Sequence, residues 1–183
     1  MLDATKNRTD PRVLEALEVL ERTPSALRGL LAGLSDAWSR CDEGPDTFSP
    51  ADVLGHLIHG ERTDWVPRLR IILQDGEARP FTPFDRFAFR EAQAGSSLGQ
   101  LLDRFEELRR ENLEAVRALA LDANGLARTG THPALGRVTL AQLLAAWVVH
   151  DLGHLRQVAR TMARRYRETV GPWREYLSIL DER

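Results

Sequence analysis

The chain has 183 residues, 43% of them hydrophobic, which suffices for one domain with a real core. Its 25 basic and 27 acidic residues leave a formal charge of −2, which gives no electrostatic reason to expect nucleic acid, because phosphate binding normally needs a basic face. Cys41 is the single cysteine, so an internal disulfide and a thiolate-rich metal cluster are both excluded, and any metal must be held by nitrogen and oxygen.

The N-terminal stretch, MLDATKNRTD, has no apolar signal core. Pro11 suits a first helical position after Asp10, and Val13, Leu14, Leu17 and Leu20 follow at helical spacing. Thr23-Pro24 interrupts the stripe, which Leu27, Leu30, Leu31, Leu34 and Trp38 resume, so a broken or kinked first helix to about Trp38 is expected. A polar segment with Gly44 and Pro45 reads as a loop. Ser49-Pro50 is a strong helix start. The second helix carries Val53, Leu54, Leu57, Ile58, Trp65, Leu69 and Ile72 as core candidates with His56 among them, and Pro67 should kink it. From Gln74 to Ser97 the helical pattern stops, leaving a crossover longer than most helix connections. It holds Phe81, Phe84, Phe87 and Phe89, which either line a pocket with Arg86 or Arg90 at the rim or plug the core.

Ser96 or Ser97 caps a third helix with the stripe Leu98, Leu101, Leu102, Phe105, Leu108, Val116 and Leu119; Asn112 beside it reads first as a surface residue. Gly125 closes that region, Leu126 to Thr139 is rich in turn residues, and Thr139 caps a fourth helix. Arg164, Arg165 and Arg167 complement that helix's negative end. After Gly171-Pro172, residues Trp173, Tyr176, Leu177 and Leu180 form a short amphipathic tail expected to dock on the bundle. No segment alternates convincingly as a strand. The expected fold is therefore all-α: a four-helix bundle with a long crossover between helices 2 and 3 and a short C-terminal helix, forming one domain over 1–183 with its core at about 11–166 and its docking tail at 171–183.

The fourth helix, LAQLLAAWVVHDLGHLRQVARTM, carries the chemistry. Its apolar run from Leu143 to Val149 is far short of the ~20 residues that cross a bilayer, so a cytoplasmic protein with no membrane partner is expected. His150, Asp151 and His154 then fall in a helix that should be buried, where an unpaired polar group costs about 1–3 kcal/mol. Residues four apart share a helix face, so His150 and His154 can reach one cation, and His56 on the facing helix could supply a third ligand. A single helical histidine is ordinarily a satisfied core or surface residue; three on facing helices favour metal binding. Asp151 either orients a histidine from behind or accepts a proton, or else caps or pairs with an arginine. Gln157 faces the pocket or bonds at the core edge, His132 is simplest as a loop residue, and His59 stays outside the ligand set.

The blocks SPADVLGHLIHGE and THPALGRVTLAQLLAAWVVHDLGHLRQVAR, with the tail GPWREYL, resemble the DinB/YfiT-like superfamily over about Leu14 to Met162. The resemblance implies a helical bundle that binds a divalent metal, zinc or nickel, through positions matching His56, His150 and His154, and that often forms a homodimer. It further implies chemistry on a small-molecule substrate, with thiol-dependent transfer using a low-molecular-weight thiol as the leading expectation. A metal- or ligand-binding stress protein without turnover is the alternative, followed by a metal-dependent hydrolase. A zinc peptidase fits poorly, because Asp151 stands where HExxH has glutamate and no strand-rich segment adjoins the motif.

Overall fold

The computed structural model describes residues 9–181, so most of the N-terminal stretch read as lacking a signal core, and both extremes of the 1–183 span, lie outside it. Asp10 opens α1 (Pro11–Leu20) by accepting from the Arg12 amide, with Pro11 at a position that needs no donor. α2 (Thr23–Leu31) begins at Thr23-Pro24 as expected. The stripe does not run on to Trp38: Gly33 adopts φ +78°, a turn conformation costly for other residues, and Trp38 falls in the short α3 (Asp36–Ser39).

Ser49 and Asp52 form a reciprocal capping box that starts α4 (Pro50–Thr63). The break expected at Pro67 lies upstream, at Asp64 (φ −113°, ψ −73°), so that Pro67 occupies the first turn of α5 (Trp65–Gln74). The physical reason is that first-turn amides have no helical acceptor anyway, and the chain removes the proline's conflict by restarting the helix ahead of it. The crossover then contains a 3₁₀ turn at Gly76–Ala78 and the four-residue α6 (Phe89–Ala92) before Ser97 and Gln100 box the start of α7 (Leu98–Ala118). Gly125 does not close that helix but lies inside a separate turn, α8 (Ala123–Ala127).

The segment read as turns holds a small antiparallel hairpin, β1 (Thr129–His132) with β2 (Gly136–Thr139), Thr129 opposite Thr139. Four-residue strands are too short to show alternation, and what orders them is tertiary: the Phe81 amide donates to the Thr131 carbonyl at 2.9 Å and the Thr129 hydroxyl bonds the Glu77 carboxylate at 2.7 Å. Thr139 and Gln142 box the start of α9 (Leu140–Arg164). The tail also differs from expectation. It consists of 3₁₀ turns at Gly171–Tyr176 and Ser178–Leu180, docked through Leu180, while Trp173 and Tyr176 are 71% and 77% exposed. Arg164 leaves the helix end to pair with Glu43 at 3.0 Å.

The limbs α1/α2, α4/α5, α7 and α9 make a four-helix bundle whose core is split in two. One cluster takes Leu17 and Leu20 from the first limb, Trp65 and Leu69 from the second, Leu113 from α7 and Trp147 from α9. The other takes Leu27, Leu57, Phe105 and Val158 from the same limbs in the same order. The residues between them on each limb, Thr23, Glu61, Arg109 and Asp151, are all buried and polar. A polar layer thus crosses the bundle at mid-height, and the three histidines sit at the same level. Gly55 helps to seat the crossover there, because a Cβ at that position would lie 2.5 Å from the Phe89 ring.

Candidate metal centre

His56 reaches inward from α4, and His150 and His154 project from adjacent turns of one face of α9. The His150 Nε2 lies 3.1 Å from the Nε2 of His56 and 3.1 Å from that of His154. Nitrogens bound to one tetrahedral ion at about 2.0–2.1 Å stand about 3.3–3.4 Å apart, so the two spacings to His150 suit a shared cation, and the three donors all lie within 4.8 Å of one another. The outward nitrogens set the tautomers. His154 Nδ1 is 2.8 Å from the Gln157 side-chain oxygen, and His56 Nδ1 is 3.4 Å from the Arg86 carbonyl; both oxygens can only accept, so each Nδ1 carries the hydrogen and each Nε2 turns a lone pair inward. Lone pairs aimed at one point repel one another unless something positive lies between them. The donor set therefore fits a divalent cation.

Electrostatics keep the rings ready for it. Burial, helped by the charge of the neighbouring imidazoles, lowers His56 to a pKa of about 3 and His154 to about 4. Both values lie below the ordinary 6.5, so the folded metal-free protein binds fewer protons here than the unfolded chain does. The stability gained by keeping the rings neutral is complete above about pH 6.5 and is lost as pH falls from there towards 4. In metal-stripped protein we expect the thermal midpoint to drop between pH 7 and 4.5 and expect His56→Gln/His154→Gln to flatten that slope. Parallel slopes for the two proteins would contradict the assignment.

Asp151 is completely buried and faces away from the cleft, with its carboxylate oxygens 2.5 and 3.1 Å from Arg109 Nη1 and Nη2 and 4.0 Å from His150 Nδ1. Burial alone would raise its pKa, but the adjacent His150 imidazole and the Arg109 guanidinium outweigh that and hold the carboxyl below its usual range. Of the roles considered for it, the geometry gives the arginine partner; His150 Nδ1, 4.0 Å away, is buried without a hydrogen-bond partner. A base acting on a bound peptide would need access to the cleft, which this carboxylate lacks.

Arg109 is the residue that sequence reasoning missed. Its five N–H donors are all used: two bonds to Glu61 Oε1 at 3.0 and 2.7 Å, two to Asp151 and one to the Leu20 carbonyl at 2.8 Å. Asn112, expected at the surface, is half-buried and donates to the Glu61 carboxylate and carbonyl, both at 2.8 Å. A signal was present in the spacing: Arg109 follows Phe105 by four and Glu61 follows Leu57 by four, which puts a charge on each apolar stripe.

A cleft of about 670 Å³ opens on the histidines, walled by Phe48, Phe84, Arg86, Arg68 and His132. The crossover phenylalanines divide between the two roles foreseen for them. Phe81 and Phe89 are each 2% exposed and plug the core, whereas Phe84 stands edge-on to the His56 ring at 5.4 Å. His59 packs on the outer side of Phe84 at 4.9 Å and does not join the cluster. His132 ends β1, its Nδ1 accepting from the amides of Ala134 and Leu135 at 3.1 Å. Among the described residues no helix is long and apolar enough to cross a membrane.

The DinB superfamily family model matches residues 19–158, a span that includes His56, His150 and His154. Among solved structures, YfiT from Bacillus subtilis superposes with a TM-score of 0.73 at 19% identity, covering 89% of this chain and 93% of that one; it is described as a probable metal-dependent hydrolase with an unusual four-helix bundle topology. At that identity the likeness concerns the fold. No curated protein matches the chain.

Proposed function

The chain belongs to the DinB superfamily, and from that premise we propose that it is a divalent-metal-dependent enzyme acting on a small molecule, with His56, His150 and His154 as the ligands of zinc or nickel. The observation that carries the proposal is the convergence of Nε2 atoms, two of them fixed as acceptors by oxygens behind the rings. When bound, such a cation lowers the pKa of a coordinated water or thiol and polarises a substrate oxygen. The protein does the rest: Gln157 and the Arg86 carbonyl orient two rings, the Asp151 carboxylate lies 4.0 Å behind the third, and the phenylalanine wall limits water around the cleft. Three protein ligands leave room for a nucleophile and a substrate atom, as catalytic rather than structural sites do.

The reaction assigned is transfer involving a low-molecular-weight thiol, in a cytoplasmic homodimer, as the family resemblance implies. Hydrolysis is the second reading, favoured by the description of the YfiT protein. Zinc- or nickel-loaded protein and chelator-stripped protein should be compared for consumption of mycothiol or bacillithiol against a panel of electrophiles, and for hydrolysis of ester and amide panels. Thiol consumption that disappears on stripping and returns with metal is the expected result. Metal-dependent hydrolysis without thiol consumption would select the second reading, and equal rates in loaded and stripped protein would overturn metal dependence.

A further inference from the structure

The charges that face the cleft are unequally balanced. Arg68 is buried against Asp64, with which it pairs, and it also donates to the Thr82 carbonyl at 3.4 Å, so its charge is already met. Arg86 differs. It is exposed, its Cζ lies 5.2 Å from the Phe48 ring centroid and 4.8 Å from that of Phe87, and no carboxylate among the described residues pairs with it. The adjacent Asp85 spends an oxygen capping the Phe87 amide at 2.9 Å. Cation–π contact uses the flat face of a guanidinium and leaves its N–H edge available, and that edge matches the paired oxygens of a carboxylate or phosphate. The backbone of the same residue lies against His56, so the free edge is tethered beside the metal centre.

We propose that Arg86 selects the substrate: a small acid whose carboxylate or phosphate head docks on the guanidinium edge while its apolar or aromatic body lies against Phe48 and Phe84, with a second functional group directed to the three histidines. The inference rests on the proposed function for what happens to the bound molecule, but recognition of the acid depends on Arg86 alone and holds without metal. The cleft volume of about 670 Å³ is within the range of small-molecule pockets. The aromatic wall gives the body of the molecule a surface to stack on, and the unpaired cation gives its head an orientation.

Calorimetric titration of benzoate, phenyl phosphate and neutral benzamide into stripped and metal-loaded protein tests this. Wild type is compared with Arg86→Gln and with Arg90→Gln, whose guanidinium stacks on Phe87 at 4.7 Å but does not line the cleft. Arg86→Gln should weaken benzoate or phenyl phosphate by at least ~10-fold in both metal states, as loss of a charge-assisted bond does, with benzamide unchanged and Arg90→Gln like wild type. Whichever anion binds more tightly identifies the head. Benzoate and phenyl phosphate binding equally to wild type and Arg86→Gln would overturn the proposal, as would benzamide binding as well as benzoate. Anion binding seen only with metal and indifferent to Arg86 would place the head on the cation instead, leaving the metal reading intact. If wild type takes up no metal yet binds acid through Arg86, the metal reading falls and this one stands.

Discussion

Arg109→Met is expected to destabilise the protein by about 3–5 kcal/mol, a large share of the whole stability of a domain this size. The change removes one positive charge from between two carboxylates, Glu61 and Asp151, whose side chains are fully buried. It also strips the Leu20 carbonyl of its donor. Each carboxylate would then have to protonate, recruit water or pull the helices apart. Arg109→Lys should fail nearly as badly, because an ammonium offers three donors in no fixed plane where five are used. The complementary test replaces Glu61, Arg109 and Asp151 together with apolar residues of similar volume. Buried ion networks are often replaceable in this way without loss of stability, so the triple variant should recover most of what Arg109→Met loses. Urea unfolding of the three variants gives the answer. A single-variant loss below about 1 kcal/mol would show that the polar layer does not brace the four limbs. If the triple variant folds well yet binds metal poorly, the layer serves to hold His150 in register rather than to hold the bundle together.

That layer also marks the limit of what the sequence disclosed. Amphipathic spacing and capping residues made all four limbs legible, because Leu and Val at three- and four-residue intervals and Ser49, Ser97 and Thr139 are local signals of burial and of helix starts. The histidines were legible too, since an imidazole on an apolar stripe demands a reason. Arg109 and Glu61 sat on the same stripes and raised the same demand, but an isolated charge is easily read as snorkelling to solvent, and only the fold brings the two together from opposite limbs. The hairpin from Thr129 to Thr139 and the 3₁₀ tail depend on partners distant in sequence, and the restart at Asp64 depends on how the chain resolves a proline rather than on the proline itself. Local chemistry announces helices and odd residues; pairing across the bundle it does not announce.

His154→Ala and His56→Ala should each leave protein purified without a histidine tag holding less than about a tenth of the wild-type metal, since a two-imidazole remnant lacks the chelate that three converging donors provide. Gln157→Ala should be milder. It removes only the acceptor that fixes the His154 tautomer, and loss of such an outer partner typically weakens metal affinity ~10–100-fold. Stability offers a second readout independent of any assay for activity. A ligand that binds the native state alone at a thousand times its dissociation constant adds about 4 kcal/mol, so zinc should raise the thermal midpoint of wild type strongly, of Gln157→Ala less, and of the two histidine variants hardly at all. The metal-free variants themselves should differ little in stability from metal-free wild type near neutral pH, because the packing lost with one ring is offset by relief of the repulsion between Nε2 lone pairs aimed at one point. This contrast separates a binding site from a structural cluster. Were the histidines an ordinary packed element of the core, His56→Ala would cost stability with or without zinc, and metal content would be alike in all four proteins.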